Sequence, residues 1–317
     1  MSTSPCYVVV LNYNGRELLK DCLNSLVKQT YEDVRVSVVD NGSSDGSKEM
    51  VEGCFPTIRF LALPENRGFS VANNFALRDA VSRGAEYILL LNNDTITSPE
   101  FIAELFRELH ADPKSAAVCP KILFASHPDR LWYAGGDFSL WTARMSQRGW
   151  KERDEGQFDG KSETTIATGC AVLLRTSALR ETGLLDETLW AYLEDVEWSV
   201  RFIEKGFHIR FASAARIWHH DGATWVRSLG AGSQAKRQYY STRNLLLIGW
   251  QHCRWFQIPT YLLGFMANEL LFYSALRLMR RDFRALLAIY RGAGAALKCI
   301  LLNRDQLQRT YALGDCQ

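Results

Sequence analysis

The N-terminal part of the chain alternates between short apolar runs and longer segments with helical periodicity. Four apolar, β-branched runs predict strands, at residues 6–11, 34–39, 58–63 and 87–91. Between the first two runs, apolar residues recur every three to four positions from Leu18 to Val27, which predicts an amphipathic helix. Strands that alternate with helices predict an α/β fold with a mostly parallel sheet flanked by helices.

Three of the four predicted strands end in clusters of polar and glycine residues. The clusters are Asn12-Tyr13-Asn14-Gly15, Asp40-Asn41-Gly42-Ser43-Ser44 and Asn92-Asn93-Asp94. Because open α/β sheets bind ligands beyond the carboxyl ends of their strands, these clusters predict a nucleotide crevice. The first turn lacks the G-x-G-x-x-G pattern, and the chain has no G-x-x-x-x-G-K-[ST] phosphate loop. The nucleotide must therefore be held in another way.

Asp94 is a single carboxylate directly after a buried strand, flanked by amides. Mg²⁺ and Mn²⁺ prefer oxygen ligands and usually share them with substrate phosphates, so this position suits a divalent ion that carries a diphosphate. Asp40 can accept hydrogen bonds from a pyrimidine or a ribose. The alternatives are local: Asp94 could cap a helix that starts near Ser98-Pro99-Glu100, and Asp40 could serve its own turn.

The composition predicts a globular protein with an uneven charge distribution. The chain has 317 residues, of which 47% are hydrophobic and 23% charged, and a net charge of +2. From Lys236 to Gln317 there are twelve Lys and Arg against four Asp and Glu, so the C-terminal part is basic and the rest is mildly acidic. The eight cysteines form no C-x-x-C pair. We expect reduced thiols, a cytoplasmic protein and no nucleic-acid partner.

Four segments resemble the family 2 glycosyltransferases with a GT-A fold, and most closely the rhamnosyltransferase, O-antigen and cell-wall subgroup. The segments are residues 8–15, 38–47, 66–69 and 91–94, and the resemblance covers roughly residues 5–250. It implies that the first-strand loop and the Asp40 position contact the nucleotide. It also implies that Asp94 belongs to a metal-binding D-x-D motif, which reads Asn92-Asn93-Asp94 here. The candidate nucleotide-sugar contacts are Asn12, Asn14, Asp40, Asn41, Arg67, Asn92, Asn93 and Arg243.

The second half of the chain supplies the candidate acceptor side. Residues 168–175 predict a strand and resemble the family segment that lines the acceptor pocket, which makes Gly169 and Cys170 candidate acceptor contacts. A plain core strand is the alternative. Residues 192–201 resemble the family's E-D motif at the start of a helix. The resemblance makes Asp195 the general base, with Glu194 or Glu197 orienting the base or the acceptor and Trp198 as an acceptor contact. Helix capping is the alternative for these acids.

A late histidine and an arginine complete the predicted site. Residues 207–211 predict a short strand, and His219 follows it with the H-x-x-G spacing of the family's late histidine, which completes the metal site in some members. His220 is the alternate ligand. Arg243 lies in a further segment that resembles the family, and its guanidinium suits a diphosphate.

The C-terminal tail, residues 251–317, contains two apolar segments and a basic stretch. The first segment, residues 258–276, includes Glu269, and a charge at the centre of a membrane-spanning helix costs about 2.5–3.5 kcal/mol. The second segment has an apolar face opposite Arg284, Arg291 and Lys298, a pattern typical of a helix that lies in a membrane interface. Packing on the catalytic domain or on a second copy in a homodimer, and a true membrane span, are the alternatives.

Together these features predict a catalytic domain at residues 1–250, with a nucleotide-sugar half to about residue 125 and an acceptor half after it. The expected activity is inverting, Mn²⁺- or Mg²⁺-dependent transfer of a sugar, such as rhamnose, from a dTDP- or UDP-linked donor to a cell-envelope or lipid-linked glycan. The expected location is the inner face of the cell membrane. A sugar-phosphate nucleotidyltransferase and a silent nucleotide-sugar-binding subunit are the alternatives. The nucleotidyltransferase would need a glycine-rich loop that residues 12–15 do not provide.

Overall fold

The computed structural model describes residues 4–221 and 233–302. Its strands are β1 Cys6–Asn12, β2 Val34–Asp40, β3 Arg59–Ala62, β4 Tyr87–Asn92, β5 Thr95–Thr97, β6 Ser115–Phe124, β7 His127–Tyr133, β8 Gly136–Ser139, β9 Arg144–Gln147, β10 Glu163–Thr164, β11 Ala171–Arg175 and β12 His208–His219. Ten of them form one sheet with the main order β10-β12-β6-β11-β4-β1-β2-β3, and β5 and β7 pair with β12 and β6. Strands β8 and β9 form a separate antiparallel hairpin.

The helices connect the strands and cover the sheet. They are α1 Arg16–Leu26, α2 Ser47–Cys54, α3 Gly68–Ser82, α4 Phe101–Ala111, α5 Thr176–Thr182, α6 Glu194–Glu204, α7 Ser233–His252, α8 Ile258–Met279 and α9 Phe283–Leu302. Helix α8 contains a π-helical segment at Met266–Tyr273. The predicted α/β class with a C-terminal helical extension is confirmed.

The nucleotide half has the predicted parallel arrangement. Strand β1 pairs in parallel with β2 and β4, and β2 pairs in parallel with β3. The side chains of β4 from Ile88 to Leu91 are buried, as expected for a strand whose two faces are both covered. The polar ends of β1, β2 and β4 therefore meet at one edge of the sheet.

The acceptor half joins the same sheet in a way that the sequence pattern did not predict. Strand β11 runs antiparallel between β4 and β6, so it links the two halves through the backbone. The strand predicted at residues 207–211 extends to His219, with an irregularity between Ala212 and Arg216 in its pairing with β6. The prediction was too short because Ser213 and Ala214 interrupt the apolar pattern.

The tail packs against helix α7. The hydroxyl of Tyr261 donates a hydrogen bond to the carbonyl of Leu245 (2.6 Å). Glu269 accepts hydrogen bonds from Thr242 (2.9 Å) and Gln238 (3.2 Å). Its carboxylate is therefore buried against α7 and does not lie on the apolar outer face of the tail. This contact agrees with the alternative in which the tail packs on the catalytic domain. The division of the chain at residue 250 stays a prediction.

The outer surface of the tail is strongly apolar. Among the described residues, helices α8 and α9 are long and apolar enough to cross a membrane, judged by length and composition. Large apolar side chains are exposed along both helices, among them Leu263, Leu271, Met279, Phe283 and Leu301. One face of the tail therefore meets the protein, and the other presents apolar side chains outward.

Two glycines of α9 provide a test of the packing between the tail and α7. A Cβ at Gly292 would stand 2.5 Å from the carbonyl oxygen of Tyr239, whereas a Cβ at Gly294 would meet nothing within 4 Å. We expect Gly292→Ala to destabilise the protein by about 1–3 kcal/mol through overpacking. The matched variant Gly294→Ala should stabilise it by up to about 1 kcal/mol, because alanine favours helix more than glycine does. Thermal unfolding measures both; equal shifts in the two variants would contradict this packing.

Candidate active site

The polar strand ends open into a cavity of about 500 Å³ between the two halves of the chain. Its floor includes Asn41, Asn92, Asn93 and Asp94 from the nucleotide side. The acceptor side contributes Gly169, Cys170, Glu194, Asp195 and His219. The structure thus brings together in one cavity most of the residues that the sequence singled out for the metal, the base and the acceptor.

Asp94 and His219 meet because the short strand β5 pairs with the end of β12. This antiparallel pairing sets His219 opposite Thr95, the residue after Asp94. The backbone N–H of the next residue, His220, donates to the carbonyl of Asp94 (2.8 Å). The result is a distance of 3.3 Å between Nε2 of His219 and Oδ1 of Asp94, with both side chains buried.

The Asp94–His219 pair fits a divalent metal ion. Two ligands of one octahedral ion stand roughly 3 Å apart when each lies ~2.1 Å from it, which is close to the observed separation. The described residues contain no cluster of three or more His, Cys, Asp or Glu side chains that could hold a metal by themselves. An ion here would therefore take its remaining ligands from substrate oxygens and water, as Mg²⁺ and Mn²⁺ commonly do.

A chain of hydrogen bonds connects the ends of β4, β1 and β2. Nδ2 of Asn93 donates to Oδ1 of Asn12 (2.6 Å), and Nδ2 of Asn12 donates to Oδ1 of Asp40 (2.7 Å). Asp40 also accepts from the backbone N–H and the hydroxyl of Ser43. Asn12 and Asp40 are buried beside the cavity and do not line it. Their position supports a role in shaping the nucleotide side, and direct contact by either remains a prediction.

Two further predicted nucleotide residues organise the loops at this edge. Asn14 accepts a hydrogen bond from the N–H of Ser44 (2.9 Å) and has a positive φ of 47°. Oδ1 of Asn41 accepts from the N–H of Arg67 (2.8 Å), while Nδ2 of Asn41 donates to the carbonyl of Gly68 (3.1 Å). The side chain of Arg67 is exposed and does not line the cavity.

The acidic start of α6 presents Asp195 and Glu194 to the cavity. The carboxylate of Asp195 accepts hydrogen bonds from the N–H groups of Gly169 (2.8 Å) and Val196 (2.9 Å). Glu194 is buried, and its Oε2 has no hydrogen-bond partner among the described residues. Burial raises the pKa of Asp195 above its ordinary value. Burial and the charge of Asp195 raise the pKa of Glu194 further, to about 8.

Glu197 and Trp198, the other two candidates on α6, lie away from the cavity. Nε1 of Trp198 donates to the carbonyl of Gly183 (2.9 Å), and the indole is buried in the main core. Glu197 forms an ion pair with Arg201 (2.7 Å) and contacts His252. Burial raises the pKa of Glu197, but the charges of Arg201 and His252 outweigh it and hold that pKa below its ordinary value. Neither side chain is available to an acceptor in the cavity.

Arg243 also serves a different purpose from the predicted diphosphate contact. Its guanidinium donates to the carbonyl of Thr188 (2.9 Å) and to Oδ1 of Asn244 (2.7 Å), and it does not line the cavity. The basic side chain of α7 that does line the cavity is Arg237, six residues earlier. The sequence pattern could not separate the two, because both arginines occur in the same apolar and aromatic segment.

An aromatic wall completes the cavity and was missed at the level of sequence. Trp132, Trp150, Trp190 and Tyr192 all line it. Trp132 packs edge-to-face on His219, with ring centroids 4.8 Å apart. The high density of tryptophan and tyrosine between residues 132 and 150 was the available signal.

Comparisons with known proteins identify the family of this chain. The family model of glycosyl transferase family 2 matches residues 7–183, more than half of the chain. The dTDP-rhamnosyl transferase RfbF of Shigella flexneri is 26% identical over 252 residues, which cover 77% of this chain and 80% of that protein. The N-acetylglucosaminyl-diphospho-decaprenol L-rhamnosyltransferase of Mycobacterium tuberculosis is 24% identical over 298 residues, which cover 86% of this chain and 95% of that protein.

Solved structures share the fold at low sequence identity. The mannosyltransferase PcManGT from Pyrobaculum calidifontis, in complex with GDP-Man and Mn²⁺, matches with a TM-score of 0.57 and 16% identity over 93% of this chain and 88% of its own. S. aureus TarS 1-349 matches with a TM-score of 0.55 and 16% identity over 97% and 89%. These matches confirm the GT-A fold. From the family model, its relatives and the fold, the chain belongs to glycosyl transferase family 2 and is a glycosyltransferase.

Proposed function

We propose that the protein is an inverting, metal-dependent glycosyltransferase that moves a deoxyhexose such as rhamnose from a dTDP- or UDP-linked donor to a hydroxyl of a cell-envelope or lipid-linked glycan. The observation that carries this proposal is that Asp195, Asp94 and His219 line one cavity. A single displacement at the anomeric carbon requires a base for the acceptor and a site for the leaving diphosphate on opposite sides of one cavity. Family membership favours sugar transfer over the nucleotidyl transfer that the sequence alone left open.

Asp195 is the proposed base. Its carboxylate takes the proton of the acceptor hydroxyl as that oxygen attacks the anomeric carbon, and the nucleoside diphosphate leaves from the opposite face. A single displacement inverts the configuration of the anomeric carbon. A divalent ion at Asp94 and His219 would supply electrostatic stabilisation for the charge on the departing diphosphate.

The donor and acceptor classes are inferred from relatives. One similar protein is named as a dTDP-rhamnosyl transferase, and another as acting on an N-acetylglucosaminyl-diphospho-decaprenol. A lipid-linked acceptor agrees with the apolar outer face of the tail. We infer that helices α8 and α9 lie at the surface of the cytoplasmic membrane, with Arg280, Arg281 and Arg284 near its anionic headgroups.

Removing either proposed metal ligand should weaken divalent-dependent binding of the nucleotide. We expect Asp94→Asn and His219→Ala each to lower transfer and Mn²⁺-dependent affinity for dTDP or UDP by at least about tenfold, because the ion neutralises diphosphate charge. His220→Ala is the matched control, since the side chain of His220 does not line the cavity. Calorimetric titration with and without Mn²⁺ measures the effect. Full wild-type activity in the presence of a chelator would exclude the metal site.

Replacing the base should reduce turnover without removing the nucleotide. Asp195→Asn keeps the shape of the side chain and removes its basicity, so transfer should fall by about 10²–10⁴-fold while binding of the nucleoside diphosphate persists. The wild-type rate should rise with pH through the raised pKa of Asp195, because the base must be ionised. A loss of activity smaller than roughly tenfold would indicate that Glu194, and not Asp195, is the general base. If the wild-type protein binds nucleotide sugar but transfers no sugar, the alternative of a catalytically silent nucleotide-sugar-binding subunit would be favoured.

The membrane proposal can be tested by removing surface charge from the tail. Deleting the tail would expose the buried face of α7 and could affect folding. Substitutions of surface arginines change the charge of the tail and keep this packing. The triple change of Arg280, Arg281 and Arg284 to Gln should weaken binding to anionic vesicles by roughly 100-fold at low salt, at about 1 kcal/mol for each charge. The control replaces three exposed lysines of the catalytic domain, Lys20, Lys28 and Lys48, with Gln, and it removes the same amount of positive charge. If neither the wild type nor the control sediments with anionic vesicles, the tail is not a membrane anchor.

A further inference from the structure

The backbone just before the acidic start of α6 adopts an unusual conformation. Trp190, Tyr192 and Leu193 have positive φ angles of 57°, 66° and 64°. Bulky residues rarely adopt such angles, because the conformation costs free energy that the surrounding structure must supply. We call residues 188–193 the strained loop. Its shape has to be maintained by contacts from elsewhere in the fold.

Asn244, in helix α7, supplies the most concentrated of these contacts. Its Nδ2 lies within hydrogen-bond distance of three carbonyl oxygens of the strained loop, those of Leu189 (2.9 Å), Ala191 (3.0 Å) and Tyr192 (2.7 Å). An amide group has two N–H donors, so the three carbonyls share them. The side chain of Asn244 is fully buried, which excludes water as a substitute partner. Arg243 steadies the same amide and binds a fourth loop carbonyl, that of Thr188.

The opposite side of the strained loop is held by the nucleotide half of the protein. The carbonyl of Trp190 accepts a hydrogen bond from the N–H of Phe69 (2.9 Å). A Cβ at Gly68 would stand 2.6 Å from the indole of Trp190, so only glycine allows this approach. On the side of α7, the indole stacks on the ring of Tyr240 at 5.0 Å. The strained loop is therefore clamped between α7 and the start of α3.

The strained loop leads directly into the reacting part of the cavity. Residues 190–193 line the cavity, as do Glu194 and Asp195 that follow them. The carbonyl of Leu193 accepts the hydrogen bond from the N–H of Glu197 (2.9 Å), which opens helix α6. A change in the shape of the loop would therefore move the first turn of α6 and its carboxylates.

We propose that Asn244 is a positioning residue for sugar transfer, which holds the strained loop, and through it the first turn of α6, so that Asp195 faces the acceptor. The inference rests on the proposed function and adds a residue that does not touch the cavity. Asn244 contacts the strained loop through backbone carbonyls, so its effect should appear in turnover and not in nucleotide affinity. The nucleotide side is built on the ends of β1, β2 and β4, which Asn244 does not contact.

The test compares Asn244→Leu with Gln234→Leu. Leucine has the same number and branching of side-chain heavy atoms as asparagine but no hydrogen-bond donors, and it adds no charge. Gln234 is exposed on the same helix. We expect Asn244→Leu to lower kcat at least tenfold, with Kd for dTDP or UDP within twofold of wild type and one nucleotide bound per chain. The bound stoichiometry reports the folded fraction. Gln234→Leu should leave kcat and Kd unchanged.

The pH–rate profile separates positioning from a general loss of structure. A loosened loop admits water to Asp195, so the rise of kcat/KM with pH should move to lower pH in Asn244→Leu. The other charged groups that line the cavity are Asp94, Glu194, Asp221 and Arg237, and its other titratable groups are His219, Cys170, Tyr13, Tyr133 and Tyr192. The substitution removes none of these side chains. A loss of kcat with an unchanged profile, or an unchanged kcat, would overturn the inference.

A second variant keeps the inference testable if Asn244→Leu does not fold. Tyr240→Leu removes the ring that stacks on Trp190 and leaves the amide of Asn244 in place. It should lower kcat and shift the profile in the same direction, by a smaller amount, and an unchanged kcat and profile would overturn the inference. Failure of the proposed function looks different. A wild-type protein that transfers no sugar from any donor removes both conclusions, whereas an active wild type with indistinguishable variants removes only the role of Asn244.

Discussion

The pairing between β5 and the end of β12 is the contact on which the site depends. Strand β5 has only three residues, yet its backbone hydrogen bonds fix His219 next to Asp94 across more than a hundred residues of sequence. A slip of one residue in this register would turn the imidazole to the other face of the sheet. The same strand β12 pairs in parallel with β6, so the position of His219 is fixed by the main sheet and not by a surface loop.

Helix α7 connects the cavity to the tail. One face of α7 presents Asn244 to the strained loop, and the other receives α9, whose Gly292 lies close to the carbonyl of Tyr239. The next residue, Tyr240, stacks on Trp190 at the wall of the cavity. The tail is therefore separated from the strained loop by a single helix, α7. This arrangement suits the lipid-linked acceptor that we propose, because the tail and the loop that lines the cavity both pack on α7.

The sequence pattern predicted what depends on local periodicity and on the ends of parallel strands. It placed Asn92, Asn93 and Asp94 at the correct edge of the sheet. Asp195 and His219, which the structure brings into the same cavity, were selected by the resemblance to the family and not by the pattern. The pattern could not show which residues of helix α6 face the cavity and which face the core. Most residues in the first two turns of α6 are buried, whether they face the cavity or the core. Asp195 faces the cavity and Trp198 faces the core, and the spacing of polar and apolar residues along the helix does not distinguish these two environments. The aromatic wall was missed because Trp132 and Trp150 reach the cavity through long-range packing of β7 and the segment after β9.

The two carboxylates at the start of α6 differ in their hydrogen-bond partners, and this difference favours different roles for them within the proposed reaction. Asp195 accepts two backbone N–H groups, which stabilise its ionised form against the effect of burial. Glu194 lacks such donors at Oε2, and burial together with the adjacent negative charge raises its pKa to about 8. Glu194 therefore holds its proton more firmly than Asp195, whose ionised form is favoured by the two N–H groups. A protonated carboxyl can donate a hydrogen bond, so Glu194 can hold the acceptor hydroxyl by its oxygen while the neighbouring carboxylate takes the proton.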